Sequence, residues 1–352
     1  MKIAVFFSGI GYHCDKPLLY YSSKIADKYQ YEVIQITYTG LSRVVEEAFA
    51  EALAQTKKRL AGIDWAACDD ILFVSKSIGT AVACAYATEH KIQCRNIYYT
   101  PLVQTFGFDP QPGLMFHGTD DPWAATRAVQ EKCRKIRQPL RLIENGNHSL
   151  EVKDDVRHNL CLLKDVMELT EEYISGTLQY RQLCEEEICQ ELFDGFIRRQ
   201  DVTDCWRRED GKWIVKLDPF IDDWTDEDYR FLVSCLKNTV HTGGYVYGAF
   251  FCGALKGFTS LEPTLFGGEL KYLDLSCLHV SRELRGKGVG KVLFCEAADW
   301  ASSHGARRLY ISGHSAVETQ AFYRAMGCKE AQEYHQAHVE KEPYDCQLEY
   351  LL

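Results

Sequence analysis

The stretch Val280-Ser-Arg-Glu-Leu-Arg-Gly-Lys-Gly-Val-Gly290 constrains this chain more than any other. An apolar run from Tyr272 to Val280 reads as a strand. Gly286, Gly288 and Gly290 then break it, and an amphipathic pattern begins at about Val289. The spacing predicts a strand, a tight turn and a helix. Such a turn bares backbone N–H groups at a helix N-terminus, where the helix dipole favours anions. Glycines let the backbone come close to a phosphate, and Arg285, Lys287 and Lys291 add positive charge. An ordinary basic β-to-α loop has the same composition, so the neighbouring segments have to decide.

Those segments resemble the GNAT superfamily of acyl-CoA-dependent N-acetyltransferases. Arg285, Gly288 and Gly290 fill its Arg/Gln-x-x-Gly-x-Gly/Ala signature, and Ala321-Phe-Tyr-Arg-Ala-Met-Gly-Cys328 is similar to its Phe/Leu-Tyr-x-x-x-Gly-Phe segment. Ala316 and Cys328 stand where the family often has asparagine and phenylalanine. The resemblance runs from about Leu178 to Leu352. It implies a mixed sheet with helices and acetyl-CoA as co-substrate. It also implies pantetheine pairing along the backbone of Leu278 and Val280, and a pyrophosphate held by Arg285, Gly286, Lys287, Gly288, Val289, Gly290 and Lys291. Tyr323 falls on the tyrosine that protonates the leaving thiolate. Asp274 and His279 are both candidate bases for the amine. A packing role in the core is the bland alternative for Tyr323.

The first half follows another pattern. Asp70-Ile-Leu-Phe-Val74 reads as a buried strand, Ser75-Lys-Ser-Ile-Gly79 as a sharp turn, and Thr80-Ala-Val-Ala-Cys-Ala-Tyr-Ala87 as a helix. A serine at such a turn is a nucleophile elbow. Phe116-His-Gly-Thr-Asp-Asp-Pro-Trp123 reads as a strand end delivering an acid, and Leu142-Ile-Glu-Asn-Gly-Asn-His148 as one delivering a histidine. The order Ser77, Asp121, His148 is that of an α/β-hydrolase triad. A serine hydroxyl attacks well only when a base takes its proton, and histidine does so near neutral pH. Asp120 competes with Asp121 as the orienting acid. The N–H groups of Ile78 and Ile10 are the candidate oxyanion hole. An N-cap role for Ser77 and a helix-capping role for His148 are the bland alternatives. Residues 1–175 therefore resemble a small α/β-hydrolase without a cap domain. Strand patterns alternating with helical ones imply a parallel sheet with helices on both faces.

At 352 residues the chain suits two domains of ordinary size, expected over 1–175 and 176–352. The fold class expected is α/β throughout. No apolar run approaches the roughly 20 residues that span a bilayer, and the first residues read as a strand rather than a leader. Residues 1–176 carry 20 basic and 22 acidic side chains, and 177–352 carry 20 and 28, which sum to the net charge of −10. An acidic surface repels nucleic acid, so no such partner is expected. The 15 cysteines form no Cys-x-x-Cys pair. Cys84, Cys161, Cys235, Cys252 and Cys295 lie in apolar runs, which predicts buried thiols in a reducing, cytoplasmic setting. No metal site is expected.

The acidic segment 218–228 lies where the family builds its acceptor wall. It suits a cationic amine, or equally a solvated capping face. The expected activity is N-acetylation of a small amine, fused to a serine hydrolase of an ester, thioester or amide. The rivals are an esterase whose second domain senses acyl-CoA, and a first domain that only docks or dimerises. Oligomeric state is open.

Overall fold

Six short runs of apolar and β-branched residues in the first half build one sheet. The computed structural model describes residues 1–136 and 138–352, in two compact units, Met1–Thr177 and Leu178–Leu352. In the first unit β1 (Lys2–Phe7), β2 (Glu32–Ile36), β3 (Asp70–Lys76), β4 (Arg95–Tyr99), β5 (Gly113–Gly118) and β6 (Leu140–Ile143) pair in the order β2-β1-β3-β4-β5-β6. All pairs are parallel. Parallel strands need covered faces, and β1, β3, β4 and β5 are buried almost end to end.

Helices α1 (Pro17–Lys28), α2 (Val45–Leu60), α3 (Ile78–His90), α4 (Thr126–Lys135) and α5 (Val156–Ser175) cover them. Phe7, Phe73, Val82 and Tyr86 are among the core side chains, each worth about 1.5–3 kcal/mol when buried. The strand order reverses between β1 and β3. In open α/β sheets ligands collect beyond the strand ends at such a switch point, and Ser77 follows β3 directly.

The second unit holds β7 (Gln179–Gln182), β8 (Gln200–Glu209), β9 (Lys212–Asp222), α6 (Asp226–His241), β10 (Tyr245–Phe251), β11 (Ala254–Leu261), β12 (Tyr272–Val280), α7 (Val289–Ser303), β13 (Arg308–Gly313), α8 (Val317–Met326), β14 (Lys329–Glu330), α9 (Gln336–Lys341) and β15 (Cys346–Leu351). Its sheet runs β14-β15-β13-β12-β11-β10-β7. Only β12 and β13 are parallel, and they pair only from Tyr272↔Arg308 to Asp274↔Tyr310. Beyond Asp274, β12 stays with β11 and β13 with β15. The register of β11 against β12 also shifts between Ser260 and Leu261. The two central strands therefore fork, and unpaired backbone edges face each other across the opening.

Three expectations need correction. The sequence pattern suggests a helix from Glu185 to Phe196, but the chain makes two short 3₁₀ turns, Glu185–Glu187 and Gln190–Phe193. Its buried residues there, Ile188, Phe193 and Phe196, fall at irregular spacing, and three successive glutamates open the segment. The start of the acidic segment 218–228 belongs to the β8–β9 hairpin rather than to a helix-capping loop. Its turn is Asp210-Gly211, with φ of 48° and 77°, and Asp-Gly between apolar runs is the strongest local hairpin signal. Thr225 does cap α6, in a capping box with Asp228. Finally, Cys84 and Cys252 are buried, but Cys161, Cys235 and Cys295 are exposed, because their helices turn those positions outward.

Candidate active sites

Ser77 stands between β3 and α3 with φ 55° and ψ −124°. A non-glycine residue in such a region costs of order 1–3 kcal/mol and persists only where its surroundings impose it. Close packing imposes it here. A Cβ on Gly79 would lie 2.5 Å from the Ser8 carbonyl oxygen and 2.6 Å from that of Phe7, so α3 starts hard against the end of β1. The Ser77 N–H donates to the Tyr99 carbonyl at 3.0 Å, and the Thr80 hydroxyl donates to the Ser77 carbonyl at 2.6 Å. The Ser77 side chain makes no capping bond.

Instead, Ser77 Oγ lies 2.8 Å from His148 Nε2, and His148 Nδ1 lies 2.7 Å from Asp121 Oδ2. The Trp123 N–H donates to Asp121 Oδ1 at 2.9 Å. Asp120 is exposed, and its N–H donates to the Gly146 carbonyl. Burial works to raise the Asp121 pKa, but the bonds from His148 and Trp123 outweigh it and hold the carboxyl below its ordinary value. Burial lowers the His148 pKa, helped by the charge on Lys76. A neutral imidazole bonded to a hydroxyl on one nitrogen and a carboxylate on the other can accept the serine proton.

The candidate oxyanion donors frame this serine. A Cβ on Gly9 would stand 3.1 Å from Ser77 Cβ, so the 8–12 loop passes directly beside it. The Gly9 N–H is engaged by the Tyr12 carbonyl at 3.0 Å. The Ile10 N–H has no partner among the described residues, and Ile78 opens α3, where no helical acceptor exists for its N–H.

Two buried basic residues were not singled out from the sequence. Lys76, immediately before the serine, is fully buried. His117 is buried too, with Nδ1 3.8 Å from Asp121 Oδ2 and Nε2 3.2 Å from Thr126 Oγ1. A lysine inside the apolar run 71–76 is the signal that would have found the first.

In the second unit the turn 285–291 connects β12 to α7. Gly286 and Gly288 have φ of 74° and 85°, and a Cβ on either would meet open space. The first helical bond runs from the Val292 N–H to the Gly288 carbonyl, so Val289, Gly290 and Lys291 present N–H groups without helical acceptors. These donors fit an anion such as a pyrophosphate.

Two residues of this turn also have structural partners. Arg285 is not a free cation, because its guanidinium donates to the carbonyls of Val280, Arg199 and Arg198 at 3.0, 3.1 and 2.6 Å. It clamps the turn to the chain entering β8, and it occupies the Val280 carbonyl as it does so. Gly290 also makes room for packing. A Cβ there would stand 3.3 Å from the Phe322 ring, so this glycine lets α8 pack against α7.

Tyr323 lies across the fork region. Its ring edge would be 3.2 Å from a Cβ on Gly313, and it packs with Phe294 and Phe322. Burial raises its pKa, so the phenol keeps its proton, and its hydroxyl has no hydrogen-bond partner among the described residues. Leu278 is partly buried against the same core.

At the apex of the fork Asp274 Oδ2 meets His338 Nε2 at 2.8 Å, while Asp274 Oδ1 is buried without a partner. The bond to Asp274 raises the His338 pKa. His279 is wedged between Trp224 and Phe258, 4.8 and 5.4 Å away, and burial drives its pKa well down. Asp345 is pushed up to about 6 by burial, with Glu342 adding to the shift. Among the described residues no group of histidine, cysteine and acidic side chains has metal-binding geometry, and no helix is long and apolar enough to cross a membrane.

Residues 199–328 form a domain of the acetyltransferase (GNAT) family. This GNAT domain contains the fork, the glycine turn and Tyr323. Among solved structures the chain is similar to nourseothricin acetyltransferase, at 18% identity over 49% of this chain and 95% of that one, with a TM-score of 0.36. It is similar to the PaiA N-acetyltransferase of Thermoplasma acidophilum, solved with coenzyme A, at 15% over 50% and 99%, with a TM-score of 0.33. It is also similar to an alpha-beta serine hydrolase homologue from Coxiella burnetii, at 16% over 49% and 83%, with a TM-score of 0.38. No curated protein matches the chain. The unit before the GNAT domain is an open parallel α/β sheet covered by helices.

Proposed function

We propose that the GNAT domain transfers an acetyl group from acetyl-CoA to a small amine, and that the first unit cleaves an ester, thioester or amide through Ser77. The observation that carries the second reading is the serine, imidazole and carboxylate contact at 2.8 and 2.7 Å. His148 takes the hydroxyl proton, Oγ attacks the acyl carbonyl, and the developing oxyanion meets the N–H groups of Ile78 and Ile10. His148 then returns the proton to the leaving group, and water repeats the sequence on the acyl-serine.

In the GNAT domain the N–H groups of 286–291 hold the pyrophosphate, and the open edge of β12 receives the pantetheine arm. Acetyl-CoA, when bound, supplies an activated acyl group. Tyr323 gives its proton to the departing sulfur. The amine must arrive neutral, and the Asp274–His338 pair at the fork apex is placed to take its proton. The neighbouring acidic side chains Glu342 and Asp345 favour a cationic acceptor.

Thiol release from acetyl-CoA across an amine panel tests the transferase, and fluorophosphonate labelling tests the hydrolase. Release that needs an amine, together with labelling, supports both readings. Coenzyme A binding with no amine-dependent release favours an acyl-CoA sensor beside an esterase. A folded chain that never labels leaves the first unit as a docking module.

A further inference from the structure

We propose that Lys76 is a positioning residue of the Ser77 site: its buried amino group ties together the two loops that frame the serine and places a positive charge beside the Asp121–His148 pair. This rests on the hydrolase reading of the first unit. Lys76 ends β3, paired with Tyr99 of β4. Its Nζ donates to Thr100 Oγ1 at 2.6 Å, and Thr100 Oγ1 donates to the His148 carbonyl at 3.2 Å. On its other side Nζ lies 5.0 Å from the Tyr12 ring centroid. Tyr12 belongs to the loop that presents Ile10, so one amine touches the histidine-bearing side and the oxyanion side of the site.

Burying a lysine without a carboxylate partner within bonding reach is costly. A methionine of similar length would fill the space without that cost. The groups facing the amine are Thr100 after β4, Tyr12 after β1, and Asp121 and His148 from the loops after β5 and β6. Of these only Asp121 is an anion, and its charge supports the protonated amine while burial opposes it and brings the pKa down to about 7. On the acid side of neutrality Lys76 is therefore charged. There it opposes a second positive charge on His148, which keeps the imidazole in the neutral form that accepts a proton.

The test compares Lys76→Met and Thr100→Val with the wild-type chain, measuring the rate of Ser77 phosphonylation between pH 4.5 and 9. Met removes the charge and the bond, while Val keeps the amine and removes the Thr100 hydroxyl that links it to the His148 carbonyl. The expected result is a plateau rate lowered by roughly ten- to a hundredfold in Lys76→Met, as small misplacements of a base cause, with the acid limb moved to higher pH. Thr100→Val should lower the plateau and leave the limb where it was. A Lys76→Met limb that superimposes on wild type overturns the electrostatic role. A Thr100→Val plateau equal to wild type overturns the positioning role, and needs no Lys76 variant to fold. Wild-type protein that fails to label at all overturns the hydrolase reading on which both rest.

Discussion

Asp274 and His338, 64 residues apart in the chain, meet at 2.8 Å where β12 and β13 part. The pair joins the fork to α9, an element whose sequence pattern is too short to place. The His338 pKa is raised in the folded protein, so its contribution to stability is full below the unfolded value and is lost as pH rises through the folded one. Asp274→Asn should therefore destabilise the GNAT domain more at pH 5.5 than at pH 8.5. Urea unfolding at the two pH values checks this, and equal losses would mean that the pair is not an ion pair in solution.

Ser77→Ala should abolish fluorophosphonate labelling, and His148→Ala should slow it strongly while leaving the nucleophile in place. Because the His148 pKa lies below its ordinary 6.5, and only the neutral imidazole acts as base, wild-type labelling should hold as pH falls to 6.5 and decline only below it. Intact-mass spectrometry across a pH series reads both effects. A decline already complete at pH 7 would contradict the desolvated environment.

Arg285→Lys should behave as a stability mutant rather than as a coenzyme-binding mutant. A lysine cannot reach the carbonyls of Val280, Arg198 and Arg199 together, and leaving buried acceptors unsatisfied costs about 1–3 kcal/mol each. Thermal melts should show the GNAT domain unfolding several degrees earlier. The calorimetric affinity for coenzyme A, measured well below that transition, should change little. The reverse pattern, an unchanged melt with weakened binding, would restore Arg285 as a phosphate ligand.

Tyr323→Phe keeps the ring against Phe294 and Phe322 and removes only the phenolic proton. The affinity for acetyl-CoA should stay within a few-fold of wild type while turnover with an accepted amine falls, the mark of an interaction made only in the transition state. Full turnover with chemistry rate-limiting would make Tyr323 a packing residue.

Two glycines should fail for different reasons. Gly79→Ala drives a Cβ to 2.5 Å from backbone at Ser8, which cannot be relieved by a side-chain shift, and should cost about 1–3 kcal/mol or more along with the Ser77 conformation. Gly288→Ala meets open space and pays only for its positive φ of 85°, about 1–2 kcal/mol. Its fold should survive, whereas Gly288→Glu should block coenzyme A by bulk and like charge. Circular dichroism melts beside coenzyme titration distinguish the three.

Much of this molecule is written in local pattern. The parallel strands of the first unit, the Ser77 turn, the strand ends that deliver Asp121 and His148, and the glycine turn before α7 each depend on residues a few positions apart. Periodicity, small side chains and turn chemistry encode such features within a short window. Tertiary structure decided what depends on contacts between distant segments. Whether Arg285 faces a ligand or three carbonyls follows from where residues 198–199 pass. Lys76 is buried because β3 is central and both flanking loops close over its end, which no window around residue 76 reveals. His338 found Asp274 only because β12 and β13 diverge after one short parallel stretch. Chain-local preference sets the elements, while register and long-range packing choose the partners of each polar group, and those partners determine which charges are free to act.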